Sequence, residues 1–116
     1  MRMVKRLNEP WFTLIAMGLK KVEGRLDKGE FSTVSRDDTI VWTNDDMGFR
    51  RELVTKVESI QRYSRFKTFL EHETLKATLP TPGMTTLNRG VNLYRTFYTT
   101  DDERKHGVLA IRLHMP

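Results

Sequence analysis

Apolar residues along the chain recur at two spacings, one typical of strands and one typical of helices. Short apolar runs and alternation of apolar with polar residues predict five strands, and helical spacing predicts three helices. The predicted strands are residues 2–7, 21–26, 39–43, 52–60 and 108–113. The predicted helices are residues 9–17, 64–75 and 85–98.

Start and stop signals support these helices. Asn8 is a suitable N-cap for the first helix, and Gly18 can end it in the left-handed conformation. Ser64 is the N-cap candidate of the second helix, and Thr85 or Thr86 that of the third. The apolar positions of the first helix, which we expect to face the core, are Trp11, Leu14, Ile15 and Leu19.

Polar and turn-forming residues fill the connections. Segment 44–48 is predicted to be a tight turn, and segments 27–38, 79–83 and 101–107 are predicted to be loops. The third and fourth strands lie only about eight residues apart, as in a hairpin, and no regular alternation of strand and helix emerges. We therefore predict an α+β fold, a small mixed β-barrel of about five strands with helices packed at its openings. Residues 1–116 suffice for one domain, and a second core would not fit.

Composition and charge narrow the classes of partner. The chain carries a net charge of +5 and no cysteine. A basic protein favours an anionic partner, and nucleic acid is the usual one. The lack of cysteine excludes disulfides and thiolate metal sites, and it fits a cytoplasmic protein, or a nuclear one in a eukaryote. No apolar run approaches the length of a membrane span, so we expect no membrane partner.

Common motifs for cofactors and metals are missing from the sequence. There is no P-loop and no G-x-G-x-x-G fingerprint. The three histidines, His72, His106 and His114, are scattered along the chain. The His72-Glu73 pair is not followed by the second histidine that a zinc protease helix requires. We therefore expect no cofactor and no metal site.

A charged cluster stands at the start of the second predicted strand. Lys20 lies at the turn before it. Lys21, Glu23 and Arg25 follow on one face, because successive strand side chains point to opposite faces. Such a group is unfavourable unless solvent, a mutual ion pair or an anionic ligand attends it. Two interpretations stay open, a solvated strand face with a Glu23–Arg25 ion pair or a ligand site.

A second basic group lies at the start of the second predicted helix. The segment 61–67, QRYSRFK, interleaves Arg62, Arg65 and Lys67 with two aromatic residues. Cations beside aromatic rings suit a single-stranded nucleic acid, through phosphate contacts and base stacking. The alternative is a solvated helix start with Phe66 in the core.

Aromatic and amide side chains supply four more candidates. Tyr94 and Tyr98 lie one helical turn apart, and either ring could line a cleft and stack on a base. Trp42 and Asn44 share one face of the third strand, so Asn44 could read a base edge while Trp42 packs or stacks. The alternative for the tyrosines is core packing, and Trp11 is also assigned to the core.

Residues at both ends of the chain resemble a known family. The Pro-Trp pair at 10–11, Gly18, Lys20 and the VEGR of 22–25 are similar to the opening signature of the ASCH (activating signal cointegrator homology) family. The tail 94–113 resembles a subgroup of it. The resemblance implies a PUA-like β-barrel, with a cleft between the first helix and the barrel that receives a nucleotide or its base.

The family resemblance implies two activities. A small ASCH enzyme hydrolyses the acetyl amide of 4-acetylcytidine with a lysine, a threonine and a distant glutamate, and its G-x-K-x-x-T-x-R pattern overlays this sequence. Lys20 and Arg25 match that pattern, while Glu23 stands where the enzyme has threonine. The distant glutamate would fall near Glu71 or Glu73. The Glu-x-Arg form resembles the cointegrator branch, for which nucleic-acid binding is expected.

Our leading interpretation is RNA or nucleotide binding through a basic cleft beside residues 20–25. The alternative is a metal-independent hydrolase acting on a modified nucleoside, or a ribonuclease, with Lys20, Glu23 and Arg25 as the catalytic residues. A third interpretation is a protein-interaction module. A concave pocket that holds Lys20 within hydrogen-bond distance of a carboxylate would favour the hydrolase, and a continuous positive groove would favour binding.

Overall fold

The computed structural model describes residues 1–116, and a single curled sheet organises them. Its strands are β1 Arg2–Arg6, β2 Val22–Leu26, β3 Thr39–Asn44, β4 Arg51–Tyr63 and β5 Val108–His114. The strand order is β1-β3-β4-β5-β2, with β1 parallel to β3 and every other neighbouring pair antiparallel. β1 and β2 are therefore the two edges. The curl brings them together, since Nη2 of Arg25 donates to the carbonyl oxygen of Arg6 at 3.3 Å.

Five helices and one 3₁₀ helix connect the strands. The helices are α1 Trp11–Ala16, α2 Phe66–Glu73, α3 Leu75–Thr78, α4 Leu87–Arg95 and α5 Thr100–His106, and the 3₁₀ helix is Gly29–Thr33. None of these helices combines the length and the apolar character that a membrane span requires.

Apolar side chains form two clusters, one on each face of the sheet. The inner cluster includes Met3, Leu7, Phe12, Ile15, Ile40, Trp42, Leu109 and Ile111. The outer cluster packs α2 and α4 against the sheet and includes Val22, Leu26, Phe66, Phe69, Leu70, Tyr94, Val108 and Ala110. β5 alternates between the two clusters and is buried on both faces, which explains its uninterrupted apolar run. The predicted α+β class with five strands is confirmed.

The prediction for α1 was wrong in detail. Phe12 and Ile15 are buried, whereas Trp11 and Leu14 are only partly buried and Leu19 is 50% exposed. The helix has six residues and ends at Ala16, so helical spacing does not extend to Leu19. Glu9, rather than Asn8, serves the helix start, because its Oε1 accepts from the Thr13 backbone N–H at 2.9 Å.

Two other helix predictions need correction. Ser64 is not a cap, because α2 begins at Phe66, and Thr74 at φ 77° separates α2 from α3. The polar segment 101–107 is mostly helical, since it holds all but the first residue of α5. By contrast, Thr86 is the N-cap of α4, and its side chain accepts from a backbone N–H of the first turn.

Candidate functional site

A cleft of about 210 Å³ opens where the two edge strands of the sheet face each other. One wall comes from the end of β1 and the following loop, another from β2, and a third from the C-terminal end of α4 and the turn after it. The lining residues are Arg6, Leu7, Asn8, Trp11, Lys20, Glu23, Gly24, Arg25, Leu79, Leu93, Tyr94, Phe97 and Tyr98. The sheet thus forms a cleft where its edges fail to pair with each other.

Lys20 forms part of the cleft floor and is only 2% exposed. Its Nζ donates to the carbonyl oxygens of Val22 at 2.8 Å and Thr78 at 2.5 Å. It also lies 3.3 Å from Oε1 of Glu23, which is 6% exposed. An ammonium has three donors, so these three acceptors account for all of them.

Arg25 holds the other side of the Glu23 carboxylate. Its Nε lies 3.0 Å from Oε2 of Glu23, and its Nη2 reaches across to Arg6 of β1. The guanidinium also lies over two rings, 5.0 Å from the centroid of Phe31 and 5.4 Å from that of Trp42. Nη1 donates to no protein atom, and so one edge of the guanidinium remains available.

The two cations and the carboxylate set each other's charge. Burial alone would raise the pKa of Glu23, but the charges of Lys20 and Arg25 together lower it below its ordinary value. Burial lowers the pKa of Lys20, and Glu23 opposes that shift only in part. Three acceptors around Nζ match the charged ammonium. The floor then carries two positive charges and one negative charge.

Two tyrosine hydroxyls line the cleft without a protein partner. Tyr94 is 5% exposed and its ring stacks on Phe66 at 4.4 Å, yet its hydroxyl makes no hydrogen bond within the protein. The Tyr98 hydroxyl is likewise unpartnered. Burial raises the pKa of Tyr94 well above its ordinary value, and the Glu23 charge raises it further, so the hydroxyl keeps its proton. Buried tyrosine hydroxyls normally find a partner, and that of Tyr94 instead offers its donor to the cleft, as does that of the partly buried Tyr98.

Gly24 adds backbone groups to the same cleft. At the two ends of β2, the carbonyl oxygen of Lys21 accepts from the Leu113 N–H at 2.9 Å, and the Asp27 N–H donates to the Gly107 carbonyl oxygen at 3.1 Å. The odd-numbered residues of β2 therefore bond to β5. Backbone groups of successive strand residues point to opposite sides, and the N–H and C=O of Gly24 therefore face away from β5. Because Gly24 lines the cleft and has no side chain, this edge can offer one donor and one acceptor.

Five predicted site residues are thus brought together, and the other six are not. Lys20, Glu23, Arg25 and the tyrosines Tyr94 and Tyr98 line one cleft. Lys21 precedes β2, is exposed and lies outside this cleft, which corrects its predicted place beside Glu23 and Arg25. Trp42 and Asn44 are both 0% exposed in the interior, so the prediction that they contact a ligand needs correction. The Asn44 amide instead donates to the carbonyl oxygen of Leu7 and supports the cleft wall from behind.

The basic segment and the distant glutamates also lie outside the cleft. The exposed side chains of Arg62, Arg65 and Lys67 line no part of it, and Arg62 Nε lies 2.9 Å from Oδ2 of Asp27. Of the two candidate glutamates, Glu71 is exposed and Glu73 accepts from the Tyr63 hydroxyl. Neither glutamate lines the cleft.

Sequence reasoning missed several residues of the cleft. Trp11 was assigned to the core but lines the cleft, with its ring centroid 5.5 Å from Nζ of Lys20. Arg6 and Phe97 stand at the cleft with exposed side chains. Thr78 contacts Lys20 through its carbonyl oxygen, which no side-chain pattern could have indicated.

Two solved structures match this protein over nearly its whole length. The crystal structure of hypothetical protein PH0355 matches with a TM-score of 0.85 and 36% identity, covering 98% of each chain. The solution structure of protein PF0455 from Pyrococcus furiosus matches with a TM-score of 0.76 and 32% identity, covering 98% of this chain and 96% of that one. Among curated proteins, none matches. The ASCH domain model matches residues 6–116, and the curled five-stranded sheet is a small PUA-like barrel, so this chain belongs to the ASCH domain family.

Proposed function

We propose that the protein binds RNA or a nucleotide, with one base seated in the cleft between β1, β2 and α4. The observation that carries this proposal is the pair of unpartnered hydroxyls, Tyr94 and Tyr98, beside the charged floor. Membership of the ASCH family, which is associated with RNA binding, supports the same class of ligand. At about 210 Å³ the cleft is smaller than the roughly 300–1,000 Å³ of pockets for drug-sized ligands, which suits a single ring system.

The polar groups of the cleft favour a base over a bare phosphate in its interior. The tyrosine hydroxyls and Nη1 of Arg25 are donors, whereas the carboxylate of Glu23 is an acceptor. Base edges carry both donors and acceptors, and so they can satisfy both kinds of group. A phosphate has acceptors only, and Glu23 would repel it. The phosphate belongs instead at the rim, where the side chain of Arg6 is 64% exposed.

Hydrolysis is the second candidate, because Lys20 lies in a concave pocket within 3.3 Å of a carboxylate. Burial also lowers the pKa of Lys20, which favours a base. However, all three donors of the ammonium are directed at protein acceptors, and neither Glu71 nor Glu73 lines the cleft. These two points favour binding. A turnover assay of the wild-type protein on 4-acetylcytidine and on short RNA tests the alternative, and turnover of either substrate would establish hydrolysis.

Substitution of Tyr94 by phenylalanine tests the binding proposal. The hydroxyl has no protein partner, so Tyr94→Phe should leave the thermal midpoint unchanged. Loss of one hydrogen bond to the ligand should weaken binding of a labelled single-stranded RNA by about fivefold to tenfold, measured by fluorescence anisotropy. If about four phosphates are neutralised, the slope of log K against log salt should be about −3.

Tyr63→Phe is the matched control for this experiment. It also removes a tyrosine hydroxyl, but that hydroxyl donates to Glu73 outside the cleft. Its RNA affinity should equal that of the wild type. A Tyr94→Phe protein that binds as tightly as the wild type would show that the cleft is not the site, and absence of any binding at low salt would refute the function.

A further inference from the structure

We infer that the exposed ring of Phe97 stacks on the base next to the one in the cleft, so that the ligand is a single strand rather than a free nucleotide. This inference rests on the proposed function and specifies its ligand class. It concerns the rim of the cleft, where an aromatic ring and a cation stand on different walls.

Phe97 is the cleft aromatic that contributes least to the core. It is 53% exposed, whereas Tyr94 is 5% exposed. Tyr98 and Leu93 pack against the outer cluster, but Phe97 belongs to neither apolar cluster. Its ring meets that of Tyr98 edge-on, with centroids 6.3 Å apart at 65°. With 53% of the residue exposed, the ring is accessible to a planar ligand.

The backbone that carries this ring is held by hydrogen bonds. The N–H groups of Phe97 and Tyr98 both donate to the carbonyl oxygen of Tyr94, at 3.0 and 2.9 Å. The turn after α4 thus continues the helix by hydrogen bonding. Because the backbone is already ordered, only the two side-chain torsions of Phe97 have to be fixed when a base stacks on the ring.

Charge at the rim supplies a path for the strand. Arg6 stands on the β1 wall, with its guanidinium 3.7 Å from Asp46, too far for a close hydrogen bond. A nucleotide whose base lies in the cleft would have its phosphate near Arg6, and the base of the adjacent nucleotide would lie against Phe97. Aromatic platforms beside cations are a recurring way to bind single strands, and base–aromatic stacking tolerates any base.

The test compares a nucleoside monophosphate with the corresponding dinucleotide, by calorimetric titration. The wild type should bind the dinucleotide at least about fivefold more tightly than the mononucleotide. Phe97→Ala and Phe97→Leu should both remove that gain, bringing the ratio of dinucleotide affinity to mononucleotide affinity close to one. The leucine variant keeps an apolar side chain but no ring, so it separates stacking from simple apolar contact.

Phe49→Ala is the matched control, because Phe49 is 58% exposed but lies in the β3–β4 turn and does not line the cleft. It should retain the full gain. Equal wild-type affinities for the two ligands, or a Phe97→Ala protein that retains the gain, would overturn this inference. If the mononucleotide still binds and Tyr94→Phe weakens it, the proposed function survives that outcome. Absence of binding to either ligand would overturn both proposals.

Discussion

At the scale of single residues, Lys20 has a structural role rather than a reactive one. Its ammonium joins the carbonyl oxygen of Val22 in β2 to that of Thr78 in α3, and its third partner is Glu23. A buried cation of this kind is stable only while every partner is present. The base of the cleft therefore depends on a side chain that has no free donor for a ligand.

Replacement of Lys20 by methionine should destabilise the fold. Lys20→Met leaves two carbonyl oxygens unpaired and removes one partner of Glu23, so we expect the free energy of unfolding to fall by about 3–5 kcal/mol in a urea titration. Lys21→Met is the matched control, because Lys21 is exposed, and its effect should stay within about 0.5 kcal/mol. Equal stability of Lys20→Met and the wild type would refute this role.

At the scale of elements, the sequence predicted the strands better than the helices. β5 was predictable from its apolar run and β2 from its charged face, which also indicated Lys20, Glu23 and Arg25. α5 was missed because only Glu103 among its residues is buried, so it has no apolar stripe. Its terminal signals were nevertheless present, with Thr99 at the N-cap, acidic residues in the first turn and basic residues in the last.

Other features of the site could not be read from sequence. Two walls of the cleft, β1 and β2, are joined in the chain by α1 and do not pair with each other. Their proximity depends on the strand order and on the curl of the sheet, which the sequence pattern does not specify. The contact between Lys20 and Thr78 joins residues 58 positions apart through a backbone oxygen. The burial of Trp42 and Asn44 follows from the curl of the sheet, which turns the face of β3 that carries Trp42 toward the inner cluster.

At Gly24, the backbone of β2 lies in close contact with side chains of α2 and α4. A Cβ at this position would lie 2.7 Å from Cζ of Phe69 and 2.9 Å from the Tyr94 hydroxyl oxygen. Gly24→Ala should therefore lower the free energy of unfolding by about 1–3 kcal/mol. Phe69→Leu removes the ring, so the double variant should lose less stability than the two single variants together. Strict additivity in this cycle would contradict the close approach of β2 and α2.

At the scale of the whole molecule, buried and half-buried carboxylates make the fold sensitive to acid. Glu23 pairs with Lys20 and Arg25, and Glu9 pairs with Arg51 at 2.8 Å. Burial alone would raise the pKa of both carboxyls. Hydrogen bonds from Thr13, together with Arg51, lower the pKa of Glu9 below its ordinary value of 4.5, and the charges of Lys20 and Arg25 lower that of Glu23. The Glu9–Arg51 pair connects the start of α1 to β4, and the Glu23 group forms part of the cleft floor. Loss of either carboxylate charge therefore affects more than one element.

The sign of the pH dependence follows from these lowered pKa values. The stabilisation that these ionised carboxylates contribute is fully present above the pKa of the unfolded state, about 4.5. It is lost as the pH falls through the lower pKa of the folded state. We expect urea titrations at a series of pH values to show stability falling below about pH 4.5. Glu23→Gln should flatten part of that fall, while Asp101→Asn, at an exposed position, should not. Parallel curves for Glu23→Gln and the wild type would contradict this assignment.

The placement of the two tryptophans gives the protein an internal optical probe. Trp42 is fully buried and its indole N–H donates to the Thr55 hydroxyl at 3.0 Å, whereas Trp11 stands partly exposed on the cleft wall. A ligand in the cleft should quench the emission of Trp11 and leave that of Trp42 in place, while unfolding should shift the emission of both toward longer wavelengths. Occupancy of the cleft and loss of the fold can therefore be followed separately in one unlabelled sample, with Trp11→Phe as the blank.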